Sequence, residues 1–184
     1  MRSLSAGCGV SRPLVSDGSY SETMAKLTVP SSFDLTAPND DERTKLEADL
    51  SREEAAVLLH HGTEAPFCGG LLNNKVDGLY CCRLCGLPLF RAGTKFESGT
   101  GWPSFYAPFD DAHVVDIRDT SYGMVRIENQ CARCDSHQGH VFPDGPAPTR
   151  LRYCINSVSL EFVADGETLR DPLGRGDNDA LAAK

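Results

Sequence analysis

The sequence lacks any apolar run near the roughly 20 residues that span a bilayer, so no helical membrane segment is expected. It also lacks any run of Lys or Arg, and its formal net charge is −8. Such a chain gains nothing from counterion release at phosphates, which argues against nucleic acid as a partner. The first residues have no continuous apolar stretch of the kind a secretory signal carries. Without that signal, the eight cysteines are not read as four disulfides of a secreted protein. A reducing, cytoplasmic setting is expected instead. There is no internal repeat and no alternation of strands with long helices, which excludes a doubly wound parallel sheet.

What remains suits one soluble domain. The 184 residues are 40% hydrophobic and 24% charged, enough for a hydrophobic core without special staples. Residues 1–40 are rich in Ser, Gly and Pro and are expected to form a disordered leader. Met24 is an alternative start within it, and Arg2 and Arg12 in a Ser-rich stretch resemble a transit peptide weakly. The folded domain is expected over residues 41–164, followed by a flexible tail over 165–184. Residues 41–61 read as helical, with a Ser51/Glu54 capping box and Gly62 at the C-cap. From residue 78 onward, short strands alternate with Gly- and Pro-rich turns. Strand-like segments are Tyr80 to Leu84, His113 to Ile117, Met124 to Glu128, and a longer one from Leu151 to Val163. A mainly antiparallel β domain with peripheral N-terminal helices is expected.

The cysteines divide by spacing. Cys82/Cys85 and Cys131/Cys134 are C-x-x-C pairs, a spacing that lets two sulfurs reach one ion from a tight turn. Together they would make a closed, structural four-thiolate zinc site; unliganded or redox-active cysteines are the alternative. Only Cys82 has the right spacing to Cys85, so the adjacent Cys81 is a bystander. Cys154 stands alone. Strand alternation puts Arg152, Cys154 and Asn156 on one face, continuing into Val158, Leu160 and Phe162. A guanidinium beside a thiol favours the nucleophilic thiolate, whereas a buried structural cysteine is the plain alternative. His137 and His140 follow the second pair closely and suit general acid work near neutral pH. Trp102, the one tryptophan, sits in a Gly-Trp-Pro turn, either as a rigid cleft wall or as a core anchor.

Taken together, these segments resemble the B-type methionine sulfoxide reductases. The resemblance runs from His61 to Phe162. It rests on His61-Gly62-Thr63-Glu64-Ala65-Pro66-Phe67, the Tyr80 to Cys85 knuckle, Ser98 to Phe105, Cys131 to Asp135, Gly139 to Pro146, and Arg152 to Ser157, in that order. It implies two antiparallel β sheets, with a four-cysteine zinc set apart from the active site. It also implies reduction of the R epimer of methionine sulfoxide in oxidised proteins or peptides. By position, Cys154 would be the nucleophile, with His137, His140, Arg152 and Asn156 completing the polar site and Asp144 a further candidate. Trp102 would hold the substrate methyl group. Recycling would pass through a disulfide and a dithiol such as thioredoxin.

Two positions depart from the family pattern. Many members carry a resolving cysteine where this chain has Thr100. Some relatives instead carry one after the upstream Pro-Phe, here Cys68, which makes Cys68 the candidate resolving thiol. Direct reduction of Cys154 by an external thiol is the alternative. Gln138 stands between the histidines where relatives usually have an apolar residue, and is expected to add polarity beside them. A monomer is expected.

Overall fold

The computed structural model describes residues 32–182. Most of the expected leader, with Cys8, Met24 and the transit-like stretch, lies outside the described residues. Two helices open the described chain, α1 (Asp40–Ala48) and α2 (Arg52–Leu58). Each starts in a capping box, Asn39 with Glu42 and Ser51 with Glu54. The single helix expected over 41–61 is therefore two. The first ends at its C-cap Asp49, and Ser51, two residues on, takes extended backbone (φ −66°, ψ 164°) to cap the second. Past α2 it is His61, not Gly62, that takes a left-handed conformation (φ 54°).

Nine strands follow: β1 (Gly78–Cys82), β2 (Pro88–Arg91), β3 (Lys95–Phe96), β4 (Ser104–Phe105), β5 (Val114–Asp119), β6 (Arg126–Cys131), β7 (His137–Phe142), β8 (Arg152–Ile155) and β9 (Leu160–Ala164). All pair antiparallel, in a three-stranded sheet ordered β2-β1-β9 and a six-stranded sheet ordered β3-β4-β8-β7-β6-β5. The mainly β architecture of two antiparallel sheets with short N-terminal helices is as expected. The core lies between the sheets. Phe90 of the small sheet stacks on Phe105 of the large one at 4.4 Å between ring centroids, and Tyr80 and Tyr153 pack beside them.

The long strand expected from Leu151 to Val163 is broken. A 3-10 turn over Ser157–Ser159 separates β8 from β9, and the two strands belong to different sheets. Arg152 and Cys154 do share a face, but that face does not continue through Val158. The break puts Cys154 near the end of β8, where the chain leaves one sheet for the other.

The tail expected to be flexible is docked over its described length. Leu169 is buried, and Asp177 opens a short helix α3 (Asp177–Ala182) with its carboxylate fully buried against Arg133. Phe33, at the end of the expected leader, is also buried, edge-on to Phe109 and His113. Among the described residues, no helix is long and apolar enough to cross a membrane.

Candidate active site

The two C-x-x-C pairs converge. Cys82 ends β1 and Cys85 lies in the turn to β2, Cys131 ends β6 and Cys134 lies in the turn to β7, and their four ligand atoms lie within 4.8 Å of one another. All four side chains are buried, with Cys82 Sγ 3.6 Å from Cys134 Sγ and Cys85 Sγ 3.6 Å from Cys131 Sγ. A tetrahedral ion with metal–sulfur bonds of about 2.3 Å sets its sulfurs roughly 3.8 Å apart, so the donor set fits. Four thiolates leave no open coordination position, and the cluster ties the small sheet to the large one. Cys81 is buried in β1, outside the cluster, and burial pushes its thiol well above the ordinary range.

Gln138 belongs to this cluster rather than to the histidines. The β6–β7 register runs Asn129↔Gly139, then Gln130↔His137, which makes Gln138 the extra residue of a β-bulge. Its Nε2 donates to Ser136 Oγ at 2.9 Å and approaches Cys82 Sγ at 3.7 Å. The same bulge puts His137 and His140, three residues apart, on one side of the strand, with ring centroids 5.5 Å apart. In a regular strand they would face opposite ways.

A cavity of about 140 Å³ opens over the end of β8, lined by Thr63, Trp102, Arg126, Gly139, His140, Phe142, Cys154 and Asn156. Four of the expected site residues therefore line one cavity: Trp102, His140, Cys154 and Asn156. His140 on β7 is the register partner of Cys154 on β8. The strands approach so closely here that a Cβ on Gly139 would lie 2.0 Å from the Cys154 carbonyl oxygen. Trp102 is held by its ring, Nε1 donating to the Glu64 carbonyl at 3.1 Å. Asn156 is fixed at both ends: Oδ1 accepts from the Glu64 amide and Nδ2 donates to the Gln138 carbonyl.

Arg152 and His137 are not among the residues that line this cavity. Arg152 makes a two-pronged ion pair with Asp144, at 2.8 and 2.9 Å, and lies over the Phe142 ring. His137 is buried, its Nδ1 2.6 Å from Glu128 Oε1. Burial lowers its pKa, against the opposing pull of Glu128, so the ring is neutral near pH 7. His140 Nε2 is 2.9 Å from Asp119 Oδ2, which also accepts from Arg126 at 2.6 Å. Hydrogen bonds from Ser121, then from His140 and Arg126, hold Asp119 well below the usual carboxylate range.

Arg152 pulls Cys154 toward the thiolate, as expected, but it does not act alone. Burial raises the Cys154 pKa, and this outweighs the opposing effects of Thr100 and Arg152. In the resting site the group is a thiol. Thr100 Oγ1 is 3.8 Å from its sulfur.

Cys68 is exposed, on a loop laid against the Thr100–Gly101 turn. Phe67 N donates to Gly101 O at 2.8 Å. Gly101 (φ 95°) has no room for a side chain, since a Cβ would meet Pro66 at 2.8 Å and the Phe67 ring at 3.0 Å. The loop carrying Cys68 thus borders the turn whose Thr100 touches Cys154.

Residues 50–164 match the SelR domain. Over 145 residues the chain is 77% identical to the peptide methionine sulfoxide reductase MsrB of Caulobacter vibrioides, covering 79% of this chain and 91% of the relative. The protein of the same name from Xylella fastidiosa is 59% identical over 148 residues, 80% of this chain and 96% of its own length. That from Escherichia coli is 54% identical over 123 residues, 67% of this chain and 89% of its own. The chain belongs to the SelR family of B-type methionine sulfoxide reductases.

In this reductase several residues around the cavity escaped the sequence reading. Glu64 is buried, and its carboxylate accepts from the Ser157 and Val158 amides at 2.6 and 3.1 Å, capping the turn that follows Asn156. Asp119, Arg126 and Glu128 come from the β5–β6 hairpin and engage the histidines from the side. Ordinary charged residues in a strand give no signal of that kind; only the bulge that re-aims His137 brings it to Glu128.

Proposed function

We propose that this reductase acts on the R epimer of methionine sulfoxide in oxidised proteins or peptides, through attack by Cys154 on the sulfoxide sulfur. The observation that carries the reading is the shared cavity, in which Cys154 and His140 are cross-strand neighbours and Trp102 supplies an apolar wall. At about 140 Å³ it suits the end of one side chain rather than a whole peptide.

A sulfur–sulfur bond forms between Cys154 and the substrate as the Cys154 proton is lost and the sulfoxide oxygen gains one. His140 is the proton source to that oxygen, held in orientation by Asp119, while Asn156 stays locked beside it. Trp102 takes the methyl group against its ring face. Transfer of the oxygen to Cys154 releases methionine and leaves a sulfenic acid, so the substrate sulfur is reduced and the Cys154 sulfur oxidised. The Cys68 thiol then attacks that sulfenic acid, giving a Cys68–Cys154 disulfide and water. An external dithiol of the thioredoxin type exchanges with the disulfide and restores both thiols. Arg152, paired with Asp144, keeps positive charge near Cys154 as its proton leaves. Cys82, Cys85, Cys131 and Cys134 would hold one zinc ion, which supplies a structural cross-link and no open position for substrate.

The test is turnover of an R-sulfoxide peptide with a dithiol reductant, compared between the parent chain and Cys154→Ser. Turnover is expected to fall to background with metal content and melting temperature unchanged. Undiminished turnover in the variant overturns the assignment.

A further inference from the structure

Beside the substrate cavity lies a larger one of about 640 Å³, lined by His60, His61, Asp119, Glu128, His137 and His140 among others. Its wall carries a compact donor set that the proposed chemistry leaves unused. His61 Nδ1 and His137 Nδ1 lie 2.7 and 2.6 Å from the same Glu128 oxygen. One ligand atom from each of these three residues falls within 4.8 Å of the other two. The three come from separate parts of the chain, the turn after α2, β6 and β7, so no local sequence repeat explains their meeting. We propose that His61, Glu128 and His137 form a second divalent-metal site, distinct from the four cysteines and selective for a borderline ion such as Zn²⁺ or Ni²⁺.

Two imidazoles and one carboxylate are a donor set for such ions, and they leave coordination positions for water. The cavity supplies room for those waters. His137 is neutral through burial, the form in which imidazole ligates, and its Nε2 is buried with no partner. Glu128 is an anion: burial pushes its pKa up, but hydrogen bonds from His137, Gln130 and His61 hold it below the ordinary value. Entry is open on one side, because the His61 side chain is 59% exposed. Each ring ligates as the neutral imidazole: the proton on the liganding nitrogen moves to the other ring nitrogen, and no oxidation state changes. The proposal does not depend on the reaction assigned to Cys154.

The test is calorimetric titration with Ni²⁺ of the full chain, with its cysteine-bound metal in place. Cys8→Ser, Cys68→Ser and Cys154→Ser are built in so that free thiols do not compete. One Ni²⁺ per chain is expected. His61→Asn should weaken it about tenfold or more, and asparagine tolerates the left-handed backbone at that position. His60→Asn, a histidine lining the same cavity, should leave the affinity unchanged. Glu128→Gln should weaken binding like His61→Asn, and because His61 is exposed its variant decides the matter if Glu128→Gln does not fold. Absence of Ni²⁺ uptake, the result for a triad that is only hydrogen-bonded, overturns the site. So does equal affinity in parent and His61→Asn.

Discussion

His140 and Cys154 are direct cross-strand partners on β7 and β8. Opposed residues on neighbouring strands hold their Cβ atoms about 5 Å apart, so an atom reacting at the sulfur stays within reach of the imidazole. His140→Asn is expected to lower kcat/KM for a sulfoxide peptide about 100-fold or more, the scale of a lost general acid. Cys154 should still react with a small alkylating agent at close to its parent rate. Turnover within a few-fold of the parent would remove His140 from the chemistry.

The buried Cys154 thiol has a distinct pH signature. Its pKa is raised, chiefly by burial, so the thiolate is scarce near pH 7 and grows as pH rises toward that pKa. Alkylation of Cys154 by iodoacetamide is expected to rise with pH, with a midpoint above the roughly 8.5 of a free cysteine. Thr100→Val removes a contact that favours the thiolate, so its midpoint should move further up. A midpoint below the free-cysteine value would mean that Arg152 dominates after all.

Thr100 Oγ1 lies 3.8 Å from the Cys154 sulfur, and the exposed Cys68 loop lies against that same turn. One turnover without reductant should leave a Cys68–Cys154 disulfide, seen by peptide mass spectrometry. Cys68→Ser should still release one methionine per chain and accumulate sulfenic acid, trapped by a dimedone-type probe. A parent chain that keeps Cys68 free and Cys154 as sulfenic acid would favour direct reduction by the external thiol.

The convergence of cysteines 82, 85, 131 and 134 was legible because metal spacing is local and the chemistry names its own residue types. So were the β class and the Ser51 capping box, which depend on short-range pattern. What pattern could not reveal was any feature set by a single extra residue or a buried charge. The bulge at Gln138 turns His137 toward Glu128 and Gln138 toward the cysteines, and neither follows from alternation. The turn at Ser157 sends one apparent strand into two sheets, yet apolar residues continue through it. Arg133 and Asp177, 44 positions apart, carry no sign in sequence that they meet.

The four-cysteine cluster joins the β1–β2 turn to the β6–β7 turn, so its loss should loosen the two sheets together. Exhaustive chelation, or Cys131→Ser, is expected to abolish cooperative unfolding or lower the melting temperature by more than about 10 °C, given the several kcal/mol a structural ion contributes. Metal analysis of the parent should give at least one zinc per chain, of which Cys131→Ser loses one. A metal-free chain with the parent melting temperature would sink the clamp.

Arg133 lies between the cluster residues Cys131 and Cys134, fully buried, and makes a two-pronged pair with the fully buried Asp177 at 2.8 and 2.9 Å. It also donates to the carbonyls of Cys85 and Asp34. One guanidinium therefore joins both cysteine turns, the segment before α1 and the start of α3. Removing one partner leaves a buried, uncompensated charge, whereas removing both relieves the cost of burying them. Asp177→Ala is expected to destabilise the chain by about 3–5 kcal/mol, a fall of about 10 °C in melting temperature. Arg133→Met combined with Asp177→Leu should recover most of that loss. Thermal unfolding of the single and double variants checks both statements, and the recovery separates a charge effect from damage to the packing of α3. If Asp177→Ala melts with the parent, the tail after residue 165 is not held by this pair.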